Sequence, residues 1–120
     1  MDHYIDGFII PIPKARLEEY RVMAEKAAKI WKEYGALDYW ECVGDDMEVQ
    51  GTSSFPQLAN LAPDEVVIFS WIVYESKEAR DAVNAKVFAD PRCNEMMDES
   101  NPIFDCKRMA CGGFRPLVHG

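Results

Sequence analysis

Ten residues, Glu65-Val66-Val67-Ile68-Phe69-Ser70-Trp71-Ile72-Val73-Tyr74, constrain this chain more than any other stretch. After the opening glutamate they hold one small polar group, Ser70, and one hydroxyl-tipped ring, Tyr74. β-Branched and aromatic residues at this density read as a strand, and apolar side chains on both parities read as a strand covered on both faces. A chain of 120 residues has little material with which to cover a sheet twice. A second copy of the chain is the simplest cover, so the expectation is a homodimer.

The remaining elements fall around this strand. His3 to Ile12 is a first strand, ended by Pro11 and Pro13. From Lys14 to Tyr34, Leu17, Tyr20, Ala24, Ala27, Trp31 and Tyr34 recur at steps of three and four, the spacing of one helix face. Gly35 is placed to end that helix in a left-handed cap. Leu37 to Val43 is a second strand, with Tyr39, Glu41 and Val43 on one face. The segment 44–64 has little periodicity and is long for a connection, which marks a lid or an excursion. Ser76 is an N-cap for a second helix that turns Ala79, Ala82, Val83 and Val87 inward. Asp90-Pro91 breaks it, Arg92 to Glu99 forms a short helix, and Phe104 to Leu117 is the last strand. The order β-α-β-β-α-β is the split βαβ pattern, which predicts one α+β, ferredoxin-like domain over 1–120. Its four-stranded antiparallel sheet carries both helices on one face.

Composition narrows the function classes. Acidic residues outnumber basic ones 21 to 13, for a net charge of −8. Such a surface repels phosphate backbones and anionic lipid, so neither nucleic acid nor membrane is an expected partner. No apolar run approaches the roughly 20 residues of a membrane span, and the first residues lack a signal-peptide pattern; both point to the cytoplasm. Cys42, Cys93, Cys106 and Cys111 form no CxxC pair and read as free thiols. His3 and His119 belong to no metal-binding spacing, and Asp45-Asp46 lacks the ligand spacing of a calcium loop, so no metal and no cofactor is expected.

Two polar residues interrupt apolar strands. Asp6 needs a partner because an unpaired buried carboxylate is costly. An ion pair with Arg108 or Lys107 of the neighbouring strand is the plainer reading; a pocket carboxylate with general-base capacity is the functional one. Ser70 is the second anomaly. Glu41 beside Tyr39, with Tyr74 ending the buried strand, could bind a polar ring or move a proton. Asp6 and Glu41 are therefore the candidate catalytic carboxylates, and Tyr39, Ser70 and Tyr74 the candidate ligand-binding residues. Trp31, Trp40, Trp71, Tyr20 and Phe69 either line an aromatic cavity or are plain core.

Several motifs taken together resemble a known family. Tyr4-Ile5-Asp6-Gly7-Phe8, Glu41-Cys42-Val43-Gly44-Asp45-Asp46, Phe69 to Tyr74, Val83-Asn84-Ala85-Lys86-Val87 with Asp90-Pro91-Arg92, and Lys107-Arg108-Met109 with Gly112-Gly113-Phe114 occur in one order. Over essentially the whole chain they resemble the YbaA-like family of small bacterial proteins of unknown function. The resemblance implies a dimeric α/β barrel, an architecture whose members include cofactor-independent monooxygenases and isomerase-like enzymes. It implies no activity, because one fold hosts many. Three functional expectations stand side by side: a small-molecule binder for an apolar or aromatic metabolite, a monooxygenase or isomerase, and an interaction scaffold with a filled core.

Overall fold

The computed structural model describes residues 3–96 and 100–120. Four strands, β1 (Tyr4–Pro13), β2 (Asp38–Val43), β3 (Glu65–Tyr74) and β4 (Ala110–Phe114), form an antiparallel sheet in the order β2-β3-β1-β4. One 3-10 turn leads from β1 into α1 (Leu17–Glu33); α2 (Phe55–Leu58) lies between β2 and β3, and α3 (Lys77–Ala89) and α4 (Pro91–Met96) follow β3. The class is α+β. The apolar decapeptide is a central strand, paired along its length with β1 and over six residues with β2.

The register sorts the side chains. Tyr4, Asp6, Phe8, Ile10 and Ile12 of β1 share one face with Val66, Ile68, Ser70, Ile72 and Tyr74 of β3 and with Tyr39 and Glu41 of β2. On this face α1 and α3 bury Tyr20, Ala24, Ile30, Val83 and Val87 against Ile10, Ile12, Ile68, Ile72 and Tyr74. The helices stop where their sequence signals say. Gly35 adopts φ +120°, and the Gly35 and Ala36 amides donate back to Lys32 and Trp31, so the last carbonyls of α1 are satisfied. The Ser76 hydroxyl accepts from the Ala79 amide at 3.0 Å and starts α3.

The opposite face carries Phe69, Trp71 and Val73 of β3 and Trp40 and Cys42 of β2. Trp40 and Trp71 stack at 5.6 Å, and Phe69 packs on Trp71. Phe69 is still 45% exposed and Trp40 49%. Segment 44–64 straps one end of this face. Gly44 lies so close to Val67 and Met47 that a side chain there would press on both, and Phe55 of α2 meets Phe69 edge-on. The molecule is a slab of 40 × 38 × 20 Å with a radius of gyration of 15.1 Å, against about 13.6 Å for a compact chain of this length.

Several expected boundaries move. The last strand spans Ala110–Phe114 rather than Phe104 to Leu117, because β1 pairs with it only from Ile5 to Ile9. Ile103, Phe104 and Met109 instead pack on the core cluster below α1. Cys106 therefore lies in a turn and shares no strand with Cys111. Ala82 faces outward, and α2 was not anticipated. The short helix expected at Arg92 to Glu99 is α4, ending at Met96; positions 97–99 lie outside the described residues.

Candidate functional site

All five candidate residues, Asp6, Tyr39, Glu41, Ser70 and Tyr74, lie on the helix-facing side of the sheet. They border an open cleft of about 1890 Å³ between this face, α1 and the segment 101–109. The cleft is mainly apolar and aromatic, with Phe8, Trp31, Phe104 and Met109 among its walls. Two polar clusters converge in it.

The first is built on Glu41. Residues two apart on a strand share a face, so Tyr39 stands beside Glu41 and its phenol donates to Oε2 at 2.7 Å. Tyr20, on the inward stripe of α1, donates its phenol to Oε1 at 2.7 Å. Burial, followed by the negative charge of Glu41, raises both phenols far above the ordinary tyrosine value. They therefore stay protonated and remain donors to Glu41. Ser70 lies opposite Glu41 across β2 and β3 and is 2% exposed.

The second is built on Asp6 and Asn84. Arg80 and Asn84 are four apart on α3 and point the same way. Arg80 donates to Asp6 Oδ1 at 2.7 Å, and Asn84 Nδ2 lies 3.5 Å from Oδ2. Asn84 Oδ1 accepts from Trp31 Nε1 and from the Tyr74 phenol, each at 3.1 Å. Burial, then the Asp6 charge, pushes Tyr74 upward as well. Arg80 also holds Asp81 at 2.8 Å, and its guanidinium lies 4.8 Å over the Tyr4 ring. β4 sets Gly113 opposite Asp6, where any side chain would collide with the Tyr4 phenol. That bare position lets Tyr4 lie flat.

The ion pair anticipated for Asp6 exists, but not with Arg108 or Lys107. Arg108 lies before β4 and grips Glu65 at 2.6 Å and the Asn60 carbonyl at 2.9 Å. Of the aromatics, Trp31 and Tyr20 line the cleft, whereas Trp40, Trp71 and Phe69 lie on the other face. Arg80 and Asn84 were missed as site residues. Their signal was a guanidinium and an amide within the same i, i+3, i+4, i+7 stripe as Val83 and Val87. Among the described residues, no three His, Cys, Asp or Glu side chains converge on a point that could hold a metal ion.

Comparison with known proteins places the chain among relatives of unassigned role. Residues 3–106 match the family described as "Protein of unknown function (DUF1428)". The chain belongs to this family. It is 44% identical over 115 residues to the uncharacterized protein YbaA of Escherichia coli K12, a match covering 96% of this chain and 97% of the relative. YbaA of Escherichia coli O157:H7 and of Shigella flexneri match with the same figures. The YbaA-like resemblance of the motifs thus holds over nearly the full length, and Asp6, Glu41, Ser70 and Asn84 all fall within the family's span. Among the described residues, no helix is long and apolar enough to cross a membrane.

Proposed function

We propose that this DUF1428 protein is a cytoplasmic homodimer of ferredoxin-like protomers, paired as a dimeric α/β barrel, that binds a small apolar or aromatic metabolite in the helix-side cleft. The observation that carries the binding reading is the cleft itself. Apolar and aromatic walls with a few converging polar groups are the usual makeup of a small-molecule site. The strand order β2-β3-β1-β4 supports the protomer fold, and the exposed aromatic face supports pairing.

Binding fits better than the alternative of a cofactor-independent monooxygenase or isomerase. Such chemistry needs a base free to take a proton from the substrate. Glu41 already receives a phenol on each oxygen, and Asp6 is engaged by Arg80 and Asn84. These networks hold a shape ready for a ligand.

Native mass spectrometry of gently purified protein, followed by a panel of apolar and aromatic metabolites read at the Trp31 indole by NMR, tests this. The expected result is either a co-purified mass lost on denaturation or a saturable shift at Trp31. A bare protein mass together with an unmoved Trp31 across the panel would leave the filled-core scaffold as the surviving reading.

A further inference from the structure

We propose that the cleft takes a protonated amine on an apolar, aromatic body, with Glu41 as its counter-charge; this rests on the small-molecule reading above. Of the carboxylates that line the cleft, the two at the centres of its polar clusters, Asp6 and Glu41, differ in one respect. Asp6 is matched by the Arg80 guanidinium at 2.7 Å. Among the described residues, no Lys, Arg or His forms an ion pair with Glu41. Its partners are two neutral phenols, which contribute dipoles and no charge. A half-buried carboxylate held this way still lacks a cation.

The inventory of hydrogens points the same way. Tyr20 and Tyr39 have given theirs to Glu41, and Tyr74 and Trp31 have given theirs to Asn84. What remains on Glu41 and its two phenols is acceptor capacity, on the carboxylate and phenol oxygens, while the Ser70 hydroxyl opposite can donate or accept. A ligand offering N–H groups is satisfied there, whereas a carboxylate or phosphate beside Glu41 meets mostly acceptors and like charge. The Arg80 guanidinium is already engaged by Asp6 and Asp81. The neighbouring walls suit a cation with an aromatic body. The Trp31 and Tyr39 rings stand 6.1 Å apart, tilted by 48°, and π-faces attract ammonium groups. The net charge of −8 further concentrates cations near the molecule.

Three probes of one shape test this on the intact protein by calorimetry at millimolar concentration: 2-phenylethylamine, 2-phenylethanol and 3-phenylpropionate. The amine should bind about tenfold or more tightly than the other two, the contribution of a charge-assisted hydrogen bond. Glu41→Gln should erase that advantage and leave the alcohol unchanged, while Tyr39→Phe, which keeps the charge, should preserve the order. If the alcohol or the carboxylate binds wild-type protein as tightly as the amine, the amine assignment is wrong and the cleft remains a binder. If none of the three binds, the amine assignment is likewise wrong, and the native mass and the Trp31 panel decide the small-molecule reading separately. Should Glu41→Gln not fold, the wild-type order of the three probes decides alone.

Discussion

Asp6 and Arg80 form an ion pair largely withdrawn from water, with side chains 9% and 20% exposed. Removing one member of such a pair strands the other, which costs more than the pair itself contributes. Arg80 keeps Asp81 and the Tyr4 ring, so the loss should fall below that of a fully buried pair. Asp6→Asn is expected to destabilise the fold by about 1–3 kcal/mol. Urea unfolding with an unchanged m-value measures it, and an unchanged midpoint would show the pair to be idle. An Asp6→Asn/Arg80→Met double variant should lose less than the sum of the singles. The anomaly at Asp6 was legible because a carboxylate among apolar strand neighbours demands a partner. Its partner was not, since Arg80 is separated from it by 74 residues and strand adjacency favoured Arg108. Glu41 with Tyr39 was legible from the two-residue spacing alone. Tyr20, read as a cavity wall or plain core but not as a partner of Glu41, completes that cluster because the inward stripe of α1 brings its phenol to Glu41.

The junction of α3 and α4 shows how one side chain serves several elements. Asp90 ends α3 in extended backbone, and Pro91 opens α4. The Asp90 carboxylate accepts from the Arg92 amide at 2.8 Å, from the Tyr34 phenol at 2.7 Å and from the Arg92 guanidinium, which also reaches Glu33 at 2.6 Å. Thus α4 is capped and tied to the end of α1 at once. Hydrogen bonds from Arg92, then Tyr34, hold Asp90 well below the ordinary aspartate value of 3.8. A carboxylate depressed by folding adds stability above its unfolded pKa, and that stability is lost as pH falls through the folded one. Asp90→Asn should therefore melt lower than wild type at neutral pH, and the gap should begin to close only below about pH 3.8. Paired melting curves through the acid range check this; a constant gap would mean that the charge of Asp90 plays no part. The sequence announced this break, as it announced α1 and β3, through strong local signals: Asp-Pro, a long stripe, an unbroken apolar run. It did not announce α2, whose four residues are too few for periodicity and whose Pro56 reads as a breaker rather than a first-turn residue. Nor did it separate β4 from the apolar residues before it. Ile103, Phe104 and Met109 are partly buried by packing without strand pairing, and composition alone looks the same in both cases.

The whole molecule exposes more surface than its mass accounts for. A compact chain of 13.7 kDa shows about 6,600 Å², and this one shows 8201 Å². The excess, about 1,600 Å² per chain, is what a slab one sheet and one helix layer thick leaves uncovered. Buried against an equal copy, it gives about 3,200 Å² in total, within the range of obligate homodimers. The stacked Trp40 and Trp71, with Phe69 beside them, lie where such a contact would form, and the strap from 44 to 64 already covers the end nearest Val67. A second sheet would thus seat beside the strap, over the Trp71 end of β3. Sedimentation at micromolar concentration should give twice the chain mass, and Phe69→Glu, which sets a charge in the middle of the aromatic patch, should halve it or leave the chain unfolded. The variant separates this face from any other route to a dimer: a Phe69→Glu protein that keeps wild-type mass and melting temperature would mean that the aromatic face is not the contact. A wild-type protein that sediments at the mass of one chain would leave the surface excess without a partner, and the barrel reading would go with it.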